Sequence, residues 1–141
     1  MTQAVHAPGE MVQRLADATN AHDLEALVGC FSPDYVNETP VHPARGFTGQ
    51  DQVRRNWEQI FAFVPDLSAT VVSRVVDGDR VWSEWEMTGT KPDGSPHLMR
   101  GVNIFTVADG VASAARFYLE PVDLAATGVD DAVRAVGEPR S

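Results

Sequence analysis

The sequence predicts an α+β domain, with helices first and a run of antiparallel strands after them, the helices lying on one face of a curved sheet. Three observations predict it. Apolar residues recur at helical spacing only in the first half of the chain. From Leu67 onward, apolar and polar residues alternate instead. Between Val81 and Val107, two alternating runs flank Lys91-Pro92-Asp93-Gly94-Ser95-Pro96, the composition of a hairpin with a longer loop.

Taken in order, residues 1–9 read as a flexible arm. From Glu10, Met11, Val12, Leu15, Ala16 and Thr19 form one helical stripe, broken at Asn20-Ala21-His22-Asp23. Asp23 suits the N-cap of a second short helix carrying Leu24, Leu27, Val28 and Phe31, which Ser32-Pro33-Asp34 ends. Tyr35 to Thr39 is a short strand closed by Pro40, and 40–49 is a loop. A third helix runs from about Gln50 to Phe63, with Val53, Trp57, Ile60, Phe61 and Val64 on one face. Strands follow over Leu67–Val76, the two arms of the hairpin, and Val111–Glu120, with Asp77-Gly78-Asp79 and Ala108-Asp109-Gly110 as turns. The tail, 125–141, holds one weak helical turn over Asp130–Val136.

Alternation assigns the faces of the hairpin. Val81, Ser83, Trp85 and Met87 share one side with Met99, Gly101, Asn103 and Phe105: an apolar, aromatic wall containing one amide. Trp82, Glu84, Glu86, Arg100, Val102 and Ile104 share the other. If Lys91 faces Ser95 across the turn, Glu86 stands opposite Arg100, a favourable charge pair. The first face then lines a core or pocket, and the second suits solvent or a subunit contact.

Composition excludes several classes of function. The chain has 141 residues, 43% hydrophobic and 22% charged, with a net charge of −9. Such an acidic domain is a poor partner for nucleic acid or anionic lipid. No apolar run approaches the roughly 20 residues of a membrane helix, and Met1–Gly9 lacks signal-peptide regions. The single cysteine, Cys30, leaves no internal disulfide and reads as a buried small hydrophobe. The histidines at 6, 22, 42 and 97 lack ligand spacing, so no metal is expected. Cytoplasm is the expected compartment.

At this depth the sequence resembles the nuclear transport factor two-like superfamily, most closely its SnoaL-like branch. The resemblance runs over 10–124. It rests on Val12-Gln13-Arg14 through His22-Asp23-Leu24, Phe31-Ser32-Pro33-Asp34-Tyr35-Val36, Trp57 to Phe61 followed by Pro65-Asp66-Leu67, and Gly78-Asp79-Arg80-Val81. Trp85, Gly89-Thr90, Asp109-Gly110 and Tyr118-Leu119-Glu120 complete it. It implies a cone-shaped α+β barrel with a deep apolar pocket, usually in a homodimer, acting without a cofactor on a hydrophobic oxygenated small molecule. A fold does not fix the chemistry. The tyrosine and the catalytic aspartate of the steroid isomerases fall at Leu15 and Thr39 here, and their second aspartate at Asn103. The Tyr-x-Asn of limonene-type epoxide hydrolases is matched by Tyr35-Val36-Asn37, but their Arg-x-Asp pair is replaced by Trp85-Glu86-Met87. The polyketide cyclases use a histidine near the first strand, where Glu38 stands, and an aspartate base near the end of the last strand, matched in type by Glu120.

The candidate catalytic residues are therefore Glu120 as base, with Asn103 and Asn37 steadying an enolate. Strict alternation puts Glu120 opposite in face to Phe117 and Leu119, and a pairing with Arg116 competes with the catalytic role. The candidate substrate contacts are Tyr35, Trp57, Phe61, Trp85, Met87, Met99, Phe117 and His42, the last near the pocket mouth; His97 reads as solvated. Arg45 and Arg100 could hold an anion, Arg100 being the better partner for Glu86. Three readings follow: a cyclase, isomerase or dehydratase on a polyketide-like substrate; a variant epoxide hydrolase; or a non-catalytic binding protein. A homodimer through Trp82, Glu84, Val102, Ile104 and Tyr118 accompanies them.

Overall fold

The computed structural model of the protein describes residues 7–139. The first helix, α1 (Pro8–Ala21), starts earlier than its apolar stripe, because Pro8 enters at the first turn, where its missing N–H costs nothing. Pro8 and Gly9, assigned above to the arm, are therefore helical, with Gly9 buried; residues 1–6 of that arm, His6 included, lie outside the described residues. His22 ends α1 with φ 54°, and its ring accepts the stack of Phe61 at 4.7 Å. Asp23 caps α2 (Leu24–Val28) by accepting from the Ala26 N–H. Strand β1 spans Phe31–Glu38, so Phe31 belongs to it and not to the helix before. Pro33 is accommodated because the ladder to the next strand is irregular between Phe31 and Val36. The 40–49 loop contains a 3-10 turn, Pro43–Arg45, and a two-residue strand, β2 (Phe47–Thr48). Helix α3 is Gln50–Phe63.

The remaining strands are β3 (Ser68–Asp77), β4 (Arg80–Thr90), β5 (Pro96–Ala108), β6 (Val111–Phe117) and β7 (Glu120–Pro121). They form one sheet in the order β2-β1-β6-β5-β4-β3, with β7 extending the β5 edge. All pairs are antiparallel except β1 with β6. The sheet is curved but open, not a closed barrel. The hairpin keeps its expected register: the Lys91 N–H donates to the Ser95 carbonyl, and Glu86 lies opposite Arg100 with 3.7 Å between charged atoms.

Helices α1 to α3 cover the concave face. Met11, Val12, Leu15, Leu27, Val28 and Val53 meet Val81, Trp85, Met87 and Phe105 in the core. Burial of such side chains contributes roughly 1.5–3 kcal/mol each. On the convex face, Trp82 is 47% exposed and stands between Val75 and Ile104 in register. Ile104, placed on a half-polar surface by alternation, is buried there, flanked by Trp82 and Arg116. The weak turn in the tail is an eight-residue helix, α4 (Val129–Val136), with no buried residue.

Candidate active site

The inner wall of the hairpin does not close onto the helices. Between them lies a chamber of two adjoining compartments that share part of their walls. The inner one, about 130 Å³, is walled by Leu15, Thr19, Trp85, Met87, Asn103 and Phe105. The outer one, about 340 Å³, opens past Tyr35, Asn37, Thr39, Arg45, Asn56 and Glu120. Phe31, Trp57, Ile60, Met99, Phe117 and Leu119 line both. Sites for small ligands have this character, an apolar concavity with few polar groups.

Two polar features stand at the closed end. The Trp85 indole N–H donates to the Ser83 hydroxyl, which donates to the Asn103 carbonyl, at 2.8 and 2.7 Å. This chain fixes the strand backbone and leaves the Asn103 side chain uninvolved. Asn103 is 2% exposed, and its Oδ1 has no hydrogen-bond partner. A buried polar atom left unpaired costs about 1–3 kcal/mol. His97, read as solvated from sequence, lies on the inner face of β5 and lines this compartment. Burial, reinforced by the charge of Lys91, lowers its pKa below the ordinary 6.5.

The mouth is polar. The Tyr35 hydroxyl, buried in an aromatic group with Phe31 and Phe47, donates to Asn37 Oδ1 at 2.8 Å. Burial raises its pKa far above the usual phenol range and holds it protonated. Asn37 Nδ2 in turn donates to Thr39 at 3.3 Å. Beyond them, His42 Nε2 and Glu120 Oε1 are 2.8 Å apart, each side chain about one-third exposed. These residues are 78 positions apart in the chain.

The position of Glu120 depends on how the last strand breaks. The ladder opens at Tyr118 and Leu119, then resumes in register, with Glu120 opposite Arg100. Parity alone would send Glu120 to the convex face. However, β1 stops pairing at Glu38 with Arg116, so β7 is flanked on that side by no strand. The carboxylate turns across this free edge to His42 and lines the mouth beside Phe117 and Leu119. Arg116, its competing partner in the sequence reading, binds Glu38 at 3.2 Å instead. Glu38 is thereby drawn to the convex side, and the imidazole near the first strand comes from the following loop.

Of the remaining candidates, Trp57, Trp85, Met87, Met99 and Phe117 all line the chamber. Phe61 packs on His22 and, at 5.6 Å, on the Trp57 ring, away from the lining. Among the described residues no group of three or more His, Cys, Asp or Glu side chains is placed to hold a metal ion. No helix among them is long and apolar enough to cross a membrane.

With this geometry in view, comparison with known proteins is informative. The sequence pattern of the SnoaL-like domain matches residues 12–114. The chain belongs to the SnoaL-like family. Its structure is similar to IdmH, a candidate polyketide cyclase from Streptomyces antibioticus, at 28% identity and a TM-score of 0.71, over 82% of this chain and 93% of that one. A candidate polyketide cyclase from Sinorhizobium meliloti is similar at 25% identity and a TM-score of 0.62, over 79% and 94%. A protein of ketosteroid isomerase-like fold from Catenulispora acidiphila shares the fold at 18% identity and a TM-score of 0.68, over 77% and 85%. No curated protein matches the sequence significantly. The SnoaL-like family and the polyketide cyclases among these neighbours agree with a general kind of function, small-molecule cyclase or isomerase chemistry.

Proposed function

We propose that this protein removes a proton next to a carbonyl in a hydrophobic, polyketide-like substrate and thereby promotes ring closure, isomerisation or dehydration. The observation that carries this reading is the His42–Glu120 pair at the mouth of an apolar chamber. Glu120 is the base, because it lines the chamber wall. His42 orients its carboxylate through one oxygen and leaves the other to take the proton. The developing enolate oxygen lies towards Asn103, whose side-chain NH2 is the donor it needs and whose side chain is held in the chamber wall by burial. Asn37 steadies the outer part of the substrate, with Tyr35 and Thr39 holding its amide in place. Trp57, Trp85, Met87, Met99 and Phe117 grip the apolar body. Proton transfer of this kind calls for no cofactor.

The hydrolase reading is weaker. Trp85 and Met87 line the chamber where the resemblance places the Arg-x-Asp pair of those hydrolases, so that wall offers no acid to protonate an epoxide. The test uses 2-tetralone, a hydrophobic ketone with acidic α-hydrogens, in D2O. Wild type accelerates α-deuteration, read by proton NMR, and Glu120→Gln lowers that rate at least about 100-fold. Full activity in Glu120→Gln would overturn the assignment of the base.

The same proposal includes a cytoplasmic homodimer joined through the convex face. Val75 and Trp82, paired across β3 and β4, are 65% and 47% exposed and offer an apolar centre for it. Light scattering at micromolar concentration should give twice the chain mass, and Trp82→Glu should give the monomer.

A further inference from the structure

Arg45 stands apart from the other described arginines. Arg54 binds Glu25, Arg100 binds Glu86, Arg116 binds Glu38 and Arg134 binds Asp131. Arg14, Arg55 and Arg74 donate to uncharged oxygens, and Arg80 lies over the Trp82 ring. Among the described arginines, Arg45 alone has no such partner, although the net charge of −9 supplies acids in excess. It lines the outer compartment of the chamber with Asn56 and Glu120.

Its backbone is fixed. The Arg45 N–H donates to the His42 carbonyl at 2.9 Å, and the His42 N–H donates to the Thr39 carbonyl at 2.8 Å. The turn that delivers the imidazole to Glu120 therefore also delivers this guanidinium to the mouth. A neutral substrate offers such a cation a hydrogen-bond acceptor but no charge. An anionic one needs it, because the acidic surface and the Glu120 carboxylate would otherwise repel the ligand.

We infer that Arg45 is an anion subsite, and that the substrate carries a carboxylate at the end that remains at the mouth while its apolar body enters the chamber. The planar guanidinium suits a carboxylate in two-point contact. The inference rests on the chamber being the ligand site, but not on Glu120 being the base.

The test is calorimetric binding of 2-naphthoic acid and of its methyl ester, which differ only in charge and a methyl group. Wild type binds the acid about fivefold more tightly than the ester, the scale of one solvent-exposed ion pair. Arg45→Gln loses that preference while still binding the ester, which shows that the chamber remains folded. Arg45→Lys keeps part of it, and raised salt erodes it in wild type. Glu120→Gln, inactive in the tetralone assay, retains the preference, so loss of the base reading and loss of this one are told apart. Equal binding of acid and ester by wild type, no binding of either, or an undiminished preference in Arg45→Gln would overturn the inference.

Discussion

The two ends of the chamber differ in kind. The closed end takes its sheet wall mainly from one local motif, the β4–β5 hairpin, with α1 and α3 packed over it; the hairpin's inward side chains follow from alternation, and its single orphaned polar atom is Asn103 Oδ1. The mouth is assembled from three distant pieces: the end of β1, the 3-10 turn after it, and the short β7 strand. At the closed end, polar groups are scarce and buried, so each weighs heavily in recognition. At the mouth they range from the buried Tyr35–Asn37 pair to the His42–Glu120 pair, each side chain of which is about one-third exposed, and this outer pair is placed for proton exchange with solvent between turnovers. The contrast teaches that shape and chemistry are separately encoded here, and substitutions can test that separation.

The largest effect is expected at the mouth. Glu120→Gln should cut α-deuteration of 2-tetralone at least about 100-fold, yet shift the unfolding free energy by no more than about 0.5 kcal/mol, since the side chain is partly exposed and the amide can keep a hydrogen bond to His42. A matching loss of stability in urea titrations would mean that the mouth is structural. Next comes the hinge between the two ends. A Cβ at Gly101 would lie 2.1 Å from the Tyr118 carbonyl oxygen and 2.8 Å from Leu119 Cα, both backbone atoms that cannot swing aside. Gly101→Ala should therefore destabilise the fold by about 1–3 kcal/mol and lower the deuteration rate as well, because the strand break that presents Glu120 is displaced.

A smaller effect of opposite sign is expected at the closed end. Asn103→Leu removes the unpaired oxygen and should stabilise the protein by about 1 kcal/mol, while slowing α-deuteration roughly tenfold through loss of the amide. Stabilisation with unchanged rate would remove Asn103 from the chemistry. The smallest effect concerns His97. Its pKa is lowered by burial, so the fold favours the neutral ring. Its contribution to stability is complete above the unfolded value near 6.5 and is lost as pH falls through the lower folded value. Thermal melts of His97→Gln should thus decline less steeply than wild type below pH 6.5, and parallel curves would contradict this.

How much of this was legible beforehand follows a physical division. The hairpin register, the inward set Ser83, Trp85, Met87 and Asn103, and the span of α3 all come from short-range periodicity, which a sequence displays directly. His97 was misread because nothing local distinguishes an inward strand end from a solvated one. Phe61 was placed on the correct helix face but spends its ring on His22. Glu38 stands where the resemblance to the polyketide cyclases puts a histidine, and in the structure it is His42, from the loop that follows, that lies against Glu120.

What the sequence determined alone was the secondary structure, the apolar face of the sheet and the residue types available to the site. The tertiary structure decided which of them meet. The open edge beside β7, left where β1 ends its pairing with β6, let Glu120 leave its own strand parity and reach His42. That choice depends on where two strands 78 residues apart stop hydrogen-bonding, a long-range event with no trace in local pattern.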